Sequence, residues 1–133
     1  MKAVFADSVY FFARLNARDR LHDRAVKFFT RAEAPIVTTN CVLTEIADGL
    51  AGRTSRQTFV HLLEILKSAQ DVEIIPSSPE LFDRGAELYA QRPDKEWSLT
   101  DCISFIVMQE RGLTQALTAD RHFEQAGFTA LLK

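Results

Sequence analysis

The stretch that decides the fold is residues 97–108, WSLTDCISFIVM, which reads as a helix start followed by a strongly apolar segment. Ser98 and Asp101 have the spacing of a capping box, in which each side chain accepts a hydrogen bond from the other residue's backbone N–H. The apolar residues after Asp101 fall on nearly every side of the predicted helix, a pattern typical of a fully buried helix. The stretch therefore predicts a central helix with Asp101 at the mouth of the core.

The presence of a carboxylate, that of Asp101, at the mouth of the core needs an explanation. An ionised carboxylate at the edge of a core is costly unless a cation or several hydrogen-bond donors meet it. For Asp101 alone, a purely capping role and a functional role explain the sequence equally well. The positions of the other acids have to decide between the two interpretations.

Length and composition indicate one globular domain over residues 1–133. The chain of 133 residues is long enough for one core and short for two domains, and 47% of its residues are hydrophobic. No segment reaches the roughly 18 apolar residues of a membrane span, and no signal-peptide cleavage region precedes the first predicted strand. Cys41 and Cys102 form neither a disulfide framework nor a zinc pattern, so we expect reduced core thiols. These features predict a soluble cytoplasmic protein that does not enter a membrane.

The charge distribution leaves two interpretations open. A net charge of −2 argues against a domain that holds nucleic acid through its overall field. Basic residues are nevertheless concentrated near the N-terminus, where they form either a surface for RNA phosphates or ordinary solvated helix faces. The residues concerned are Arg14, Arg18, Arg20, Arg24, Lys27 and Arg31, followed by Arg53 and Arg56.

Short apolar or β-branched runs alternate with amphipathic segments along the whole chain, which predicts strands that alternate with helices. The predicted strands cover 2–6, 35–39, 72–75, 115–119 and 128–132. The predicted helices cover 8–17, 22–32, 41–51 with Asn40 as the N-cap, 55–69, 79–91, the central helix up to Gly112, and 121–125. This alternation predicts an α/β three-layer sandwich with a central parallel β-sheet flanked by helices.

Four acids follow or flank the ends of these predicted strands. Asp7 and Asp120 come directly after the first and fourth strands, Glu45 lies in the first turns after the second, and Asp101 opens the central helix. Because parallel strands end at one edge of a sheet, the four side chains are expected to converge there. Each acid alone could be a cap or a surface residue, but four together repel unless cations neutralise them. An all-oxygen site of this kind suits Mg²⁺ or Mn²⁺.

The motifs around these acids resemble those of a known family. VFADS with Asp7, TNCVLTEI with Glu45, WSLTDCISF with Asp101 and LTADRHFEQAGF with Asp120 resemble the acidic quartet of PIN-domain ribonucleases. The likeness is greatest to VapC-type toxins of toxin–antitoxin pairs and covers essentially the whole chain. The third and fourth motifs are fairly specific, and the first is weak by itself. The resemblance implies a PIN-like fold, Mg²⁺ or Mn²⁺ dependence, endonucleolytic cleavage of RNA, a homodimer, and inhibition by a small antitoxin protein.

The same resemblance implies roles for the individual residues. Asp7 and Asp101 are expected to be the central metal ligands, with Glu45 and Asp120 binding directly or through water. We interpret His122 as a packing or surface residue rather than as a base. Hydroxyl and amide side chains that are candidates for supporting the ligands, although each also suits a cap or a strand, are Ser98, Thr100, Asn40 and Thr118.

Two rival functions remain at this point. A phosphotransferase of the haloacid dehalogenase type also has an Asp after its first strand, but it carries Asp-x-Asp, whereas Asp7 is followed by Ser8 and Val9. The other rival is a non-catalytic binding module of the same fold, and metal binding separates it from the nuclease.

An inhibitor of such a nuclease is expected to place an arginine among the acids, since a guanidinium pairs bidentately with carboxylates. Part of the phenylalanine content would form an exposed patch for an antitoxin helix or for self-association, unless all of it fills the core. The phenylalanines concerned are Phe11, Phe12, Phe28, Phe29 and Phe59.

Overall fold

A parallel sheet of five strands lies at the centre of the protein in a computed structural model that describes residues 2–31 and 34–133. The strand order is β3-β2-β1-β4-β5, and every neighbouring pair is parallel. The predicted fold class is therefore confirmed. The strands are β1 (Val4–Ala6), β2 (Ile36–Thr39), β3 (Val72–Ile75), β4 (Gln115–Leu117) and β5 (Thr129–Ala130).

Seven helices in the described residues connect and cover these strands. They are α1 (Ser8–Leu15), α2 (His22–Arg31), α3 (Asn40–Gly49), α4 (Arg56–Ser68), α5 (Pro79–Gln91), α6 (Leu99–Arg111) and α7 (Arg121–Gln125). The helix predicted over 22–32 ends at Ala32, which lies outside the described residues. No helix in the part of the chain that the structure describes is long and apolar enough to cross a membrane.

Helix α6 is the central helix that the sequence predicts. All residues from 101 to 108 are buried, so the helix meets neighbouring elements on every side. Helix α5 lies so close to it that a Cβ atom at Gly85 would stand 2.4 Å from Ile103 Cγ1, which only a glycine permits. At its other end, Gly112 adopts the left-handed conformation (φ 64°) that ends the helix. The position of α6 is thus fixed at both ends and along its length.

Several boundaries differ from the sequence prediction. Asn40 is not an N-cap but the first residue of α3; the Thr39 hydroxyl accepts a hydrogen bond from the Val42 N–H instead, at 3.1 Å. Thr39 takes this role because it ends β2 in an extended conformation, with no linking residue before the helix. Helix α1 stops at Leu15, since the Asn16 side chain turns the chain by accepting from the Arg18 N–H.

The predictions for the last strand and for Cys41 also need correction. The strand expected over 128–132 pairs with β4 only through Thr129 and Ala130, because β4 itself is just three residues long. Of the two cysteines, Cys102 is a buried core thiol as expected, whereas Cys41 is only half-buried. These differences leave the sheet topology and the placement of the acids unchanged.

Candidate metal centre

The structure brings all four predicted acids to the carboxyl edge of the sheet. Asp7 is the one residue between β1 and α1, and Asp120 immediately precedes α7 after β4. Glu45 lies on α3, whose first residue follows β2 directly, and Asp101 lies in the first turn of α6. Asp7, Glu45 and Asp120 therefore follow short strand–helix junctions, whereas Asp101 reaches the same edge from the start of α6, which follows α5.

Asp7 is the most deeply buried of the four, with 3% of its surface exposed. The Thr118 hydroxyl donates a hydrogen bond to Asp7 Oδ2 at 3.0 Å and accepts one from the Asp120 N–H at the same distance. Burial raises the pKa of Asp7 from 3.8 to about 7, the Ser8 backbone N–H opposes this rise, and the charges of Asp101 and Glu45 add to it. Asp7 is thus half protonated near neutral pH unless a cation lowers its pKa.

Asp101 forms the predicted capping box and lies among the other acids. Its backbone N–H donates to Ser98 Oγ at 3.0 Å, and its Oδ2 accepts from the Ser98 N–H at 3.2 Å, so the capping box is confirmed. Burial raises the pKa of Asp101, while the Ser98 N–H and His122 lower it and the charge of Asp120 raises it further. Two donors therefore do not offset the cost of burying this carboxylate.

Glu45 is half-buried and faces the same group of charges. Burial raises its pKa first, and the charges of Asp101 and Asp120 raise it further. The nearby Ser8 side chain lowers the pKa of Glu45. Sequence reasoning missed this influence of Ser8, although its place directly after Asp7 at a helix start was a usable signal.

His122 lies inside the acidic group, so its interpretation as a packing or surface residue was wrong. Its Nδ1 stands 3.1 Å from Asp101 Oδ2 and 3.4 Å from Asp120 Oδ1. Its backbone N–H donates to Asp120 Oδ1 at 2.9 Å, which makes Asp120 the N-cap of α7. One ligand atom from each of these three residues lies within 4.8 Å of the other two.

The candidates for support divide into two pairs. Ser98 and Thr118 hold Asp101 and Asp7, respectively, as described above. Among the described residues, no side-chain hydrogen bond joins Asn40 or Thr100 to the acids; the Asn40 side chain is exposed. Of the four candidates, the two that bind the acids are Ser98, which is the N-cap of α6, and Thr118, which directly follows β4.

The donor set fits a divalent cation. Carboxylate oxygens are the preferred ligands of Mg²⁺ and Mn²⁺, and a bound dication would relieve both the burial cost and the mutual repulsion of the acids. Among the described residues, however, the group with ligand atoms within 4.8 Å of one another is Asp101, Asp120 and His122. It differs from the pair Asp7 and Asp101 that the sequence placed at the centre.

The chain is similar to known proteins over nearly its whole length. Residues 4–129 match the PIN domain family. The chain is 28% identical over 125 residues to proteins named 23S rRNA-specific endonuclease VapC20 from two Mycobacterium tuberculosis strains, covering 94% of this chain and 95% of the relatives. It is also similar to the crystal structure of M. tuberculosis VapC20, described as a sarcin–ricin loop cleaving toxin, with a TM-score of 0.84, 27% identity, and 95% and 96% of the two chains covered.

A more distant likeness concerns the fold alone. The crystal structure of FitAcB from Neisseria gonorrhoeae matches with a TM-score of 0.65 and 17% identity, over 96% of this chain and 94% of that one. The two proteins therefore share the parallel sheet and its helical layers, although few of their residues are identical.

Replacing Asp7 by Asn should stabilise the metal-free protein and flatten its pH dependence. Because the pKa of Asp7 is raised from 3.8 to about 7, the native state binds the proton more tightly, and the free energy of unfolding falls as pH rises across that window. Asp7→Asn removes this loss, so unfolding at pH 8 should cost about 1–3 kcal/mol more than in the wild type. Urea titrations at pH 5 and pH 8 in EDTA measure the difference.

The control for that experiment is Asp83→Asn, on the exposed side of α5. It should keep the wild-type pH dependence. If Asp7→Asn is no more stable than the wild type at pH 8, or loses stability equally between pH 5 and pH 8, burial of the Asp7 charge is not the cause of the dependence.

Proposed function

The chain belongs to the PIN domain family, and from that premise we propose that it is a Mg²⁺- or Mn²⁺-dependent endoribonuclease, the toxin of a toxin–antitoxin pair. The observation that carries the proposal is the convergence of Asp7, Glu45, Asp101 and Asp120 on one edge of the sheet, with the pKa of Asp7, Glu45 and Asp101 raised there. The relatives named as 23S rRNA-specific endonucleases support the choice of RNA as the substrate. The non-catalytic alternative gives no reason for burying carboxylates together.

The residues divide the work of hydrolysis among them. The four acids hold the cation, Thr118 fixes the orientation of the Asp7 carboxylate, and Ser98 fixes that of Asp101. A bound dication supplies the Lewis acidity that lowers the pKa of an attacking water and stabilises the leaving oxygen. Because these side chains are already held by hydrogen bonds, little reorganisation is required when RNA binds.

A basic pocket that includes the chain neighbour of Asp120 suits the flanking RNA phosphates. Arg20 and Arg24 line a cavity of about 280 Å³ together with Ala119, the neighbour of Asp120. The Arg24 guanidinium is held in place by a hydrogen bond to the Leu132 carbonyl at 2.9 Å. Of the basic residues in the N-terminal part of the chain, these two are therefore best placed to bind a phosphate next to the scissile one.

An apolar surface away from the acids suits an antitoxin helix. Phe29 of α2 and Ile65 of α4 are each 49% exposed and lie at one shallow pocket, together with Phe28. The Arg14 guanidinium stacks on the Phe29 ring, 3.7 Å from its centroid, so Arg14 belongs to this surface rather than to the RNA pocket. Phe11 is fully buried, and Phe12 and Phe59 are partly buried against the core. The patch is thus smaller than the phenylalanine content suggested.

The antitoxin is expected to bind this patch with apolar side chains and to extend an arginine towards the acids, where its guanidinium replaces the cation. Homodimerisation stays a prediction as well. Exposed Phe82 and Tyr89 on α5 offer a second apolar surface for it.

The nuclease proposal predicts cleavage of a hairpin RNA with the sequence of the 23S sarcin–ricin loop, in Mg²⁺ or Mn²⁺ and not in EDTA. Asp7→Ala, Glu45→Ala, Asp101→Ala and Asp120→Asn should each reduce the cleavage rate by roughly 100-fold or more, because each removes a negatively charged ligand of the cation that stabilises the transition state. Asp120→Asn is chosen because an amide oxygen can still cap α7. Gel assays of end-labelled RNA measure the rates.

Glu64→Ala, an exposed acid on α4, is the matched control and should cleave like the wild type. Full activity in any two of the four site variants would contradict the assignment. A wild type that binds Mg²⁺ but cuts neither the hairpin nor an unstructured RNA would favour the non-catalytic module.

The basic pocket predicts a change in RNA affinity and in its salt dependence. Arg20→Gln combined with Arg24→Gln should weaken binding and reduce the slope of log Kd against log salt by about 1, since the contact with one phosphate is lost. Filter binding of a non-cleavable RNA analogue to the Asp101→Ala protein measures both quantities. Arg18→Gln combined with Arg31→Gln removes two exposed arginines that do not line the pocket, and should leave the slope unchanged. Equal slopes in the two double variants would place the RNA elsewhere.

The apolar patch predicts that Ile65→Glu abolishes binding of the antitoxin without slowing RNA cleavage, because a charge would be buried in the interface while the acids stay in place. Co-purification with the product of the reading frame adjacent to the toxin gene measures the binding. Phe82→Glu introduces the same charge at an apolar residue of similar exposure on α5, and should keep the antitoxin bound even if it weakens the homodimer. If Phe82→Glu breaks the complex and Ile65→Glu does not, the antitoxin binds α5 instead.

A further inference from the structure

The imidazole of His122 is the one nitrogen donor in the three-residue group described above. Its Nδ1 is directed between Asp101 Oδ2, at 3.1 Å, and Asp120 Oδ1, at 3.4 Å. The side chain is only 19% exposed, so its position is set by packing rather than by solvent. A residue held in this way between two acids needs an explanation beyond capping, which the Asp120 side chain and the His122 backbone already provide.

Packing between α6 and α7 holds the imidazole there. The ring of Phe105, one helical turn after Asp101, meets that of Phe123, the neighbour of His122, edge-on at 4.9 Å between centroids. Trp97, just before the capping box, packs on Phe105 at 5.0 Å, and its indole N–H donates to Gln125 of α7. These contacts link the first turn of α6 to α7, so His122 and Asp101 approach each other as parts of one rigid unit.

The separations around Nδ1 are those of ligands that share a metal ion. In an octahedral site with ligands at about 2.1 Å, neighbouring ligand atoms stand about 3 Å apart. The two distances from Nδ1 to carboxylate oxygens lie close to that value. The cap hydrogen bond keeps Asp120 Oδ1 close to His122, and Nδ1 can donate to only one of the two carboxylate oxygens, whereas one cation could bind Nδ1 and both oxygens at once.

Resting on the proposed metal-dependent function, we propose that His122 Nδ1 is a ligand of the cation that Asp101 and Asp120 hold, and that it makes the site prefer Mn²⁺ to Mg²⁺. Imidazole nitrogen binds first-row transition metals well, whereas Mg²⁺ favours oxygen ligands and water. A site made only of carboxylates discriminates little between the two ions. One nitrogen among the oxygens therefore changes which metal the enzyme takes up.

The test compares the wild type with His122→Asn. The asparagine amide nitrogen is bonded to Cγ, as Nδ1 is, so the variant can still donate a hydrogen bond to Asp101 but offers no imidazole nitrogen. Pulsed EPR of the Mn²⁺-loaded wild type should show ¹⁴N coupling from a directly bound nitrogen, and His122→Asn should lose it. Calorimetry should show the ratio of Mn²⁺ to Mg²⁺ affinity falling by about tenfold in the variant.

His61→Asn, an exposed histidine on α4, is the matched control and should keep both the coupling and the ratio. Mn²⁺ bound to the wild type without ¹⁴N coupling, or an unchanged affinity ratio in His122→Asn, overturns the inference and makes His122 only a positioning residue for Asp101. If RNA is still cleaved in that case, the proposed function stands. Failure of the wild type to bind either ion overturns the metal-dependent function together with the inference.

Discussion

The burial of α6 on all sides is the constraint on which the rest of the structure depends. Because every residue from 101 to 108 is buried, the helix can neither rotate nor slide without exposing apolar surface or opening cavities. The close approach at Gly85 and the left-handed Gly112 fix its lateral and axial position. Asp101 is carried to the carboxyl edge of the sheet as a result, where its carboxylate lies near the other acids.

Placing acids at that edge has an energetic cost that the fold itself does not remove. For Asp7, Glu45 and Asp101 the largest cause of the raised pKa is burial, with repulsion among the acids as a smaller addition. Separating the acids would therefore not suffice to relieve the cost, whereas a bound cation offsets both causes. Since proteins are stable by only about 5–15 kcal/mol, a cation that binds the native state contributes noticeably to stability as well as to chemistry.

The sequence predicted those features that depend on neighbouring residues along the chain. The capping box of Ser98 and Asp101, the all-round apolar pattern of α6 and the acids at the strand ends are local signals, and each is present in the structure. Contacts between elements distant in sequence were not predictable in this way. His122 reaches Asp101 because Phe123 packs on Phe105. Both Thr39 and Asn40 suit an N-cap, and the extended end of β2, which the sequence pattern did not locate to the residue, decides for Thr39.

Short junctions explain why this edge can serve a reaction that depends on positioning. A single residue, Asp7, links β1 to α1, no residue links β2 to α3, and Asp120 caps α7 after only two residues beyond β4. The functional side chains thus lie on the rigid ends of strands and helices rather than on flexible loops, which keeps them in place before substrate arrives. An inhibitor that presents a cation to the same edge needs no change of fold, because the acids are already arranged to receive positive charge.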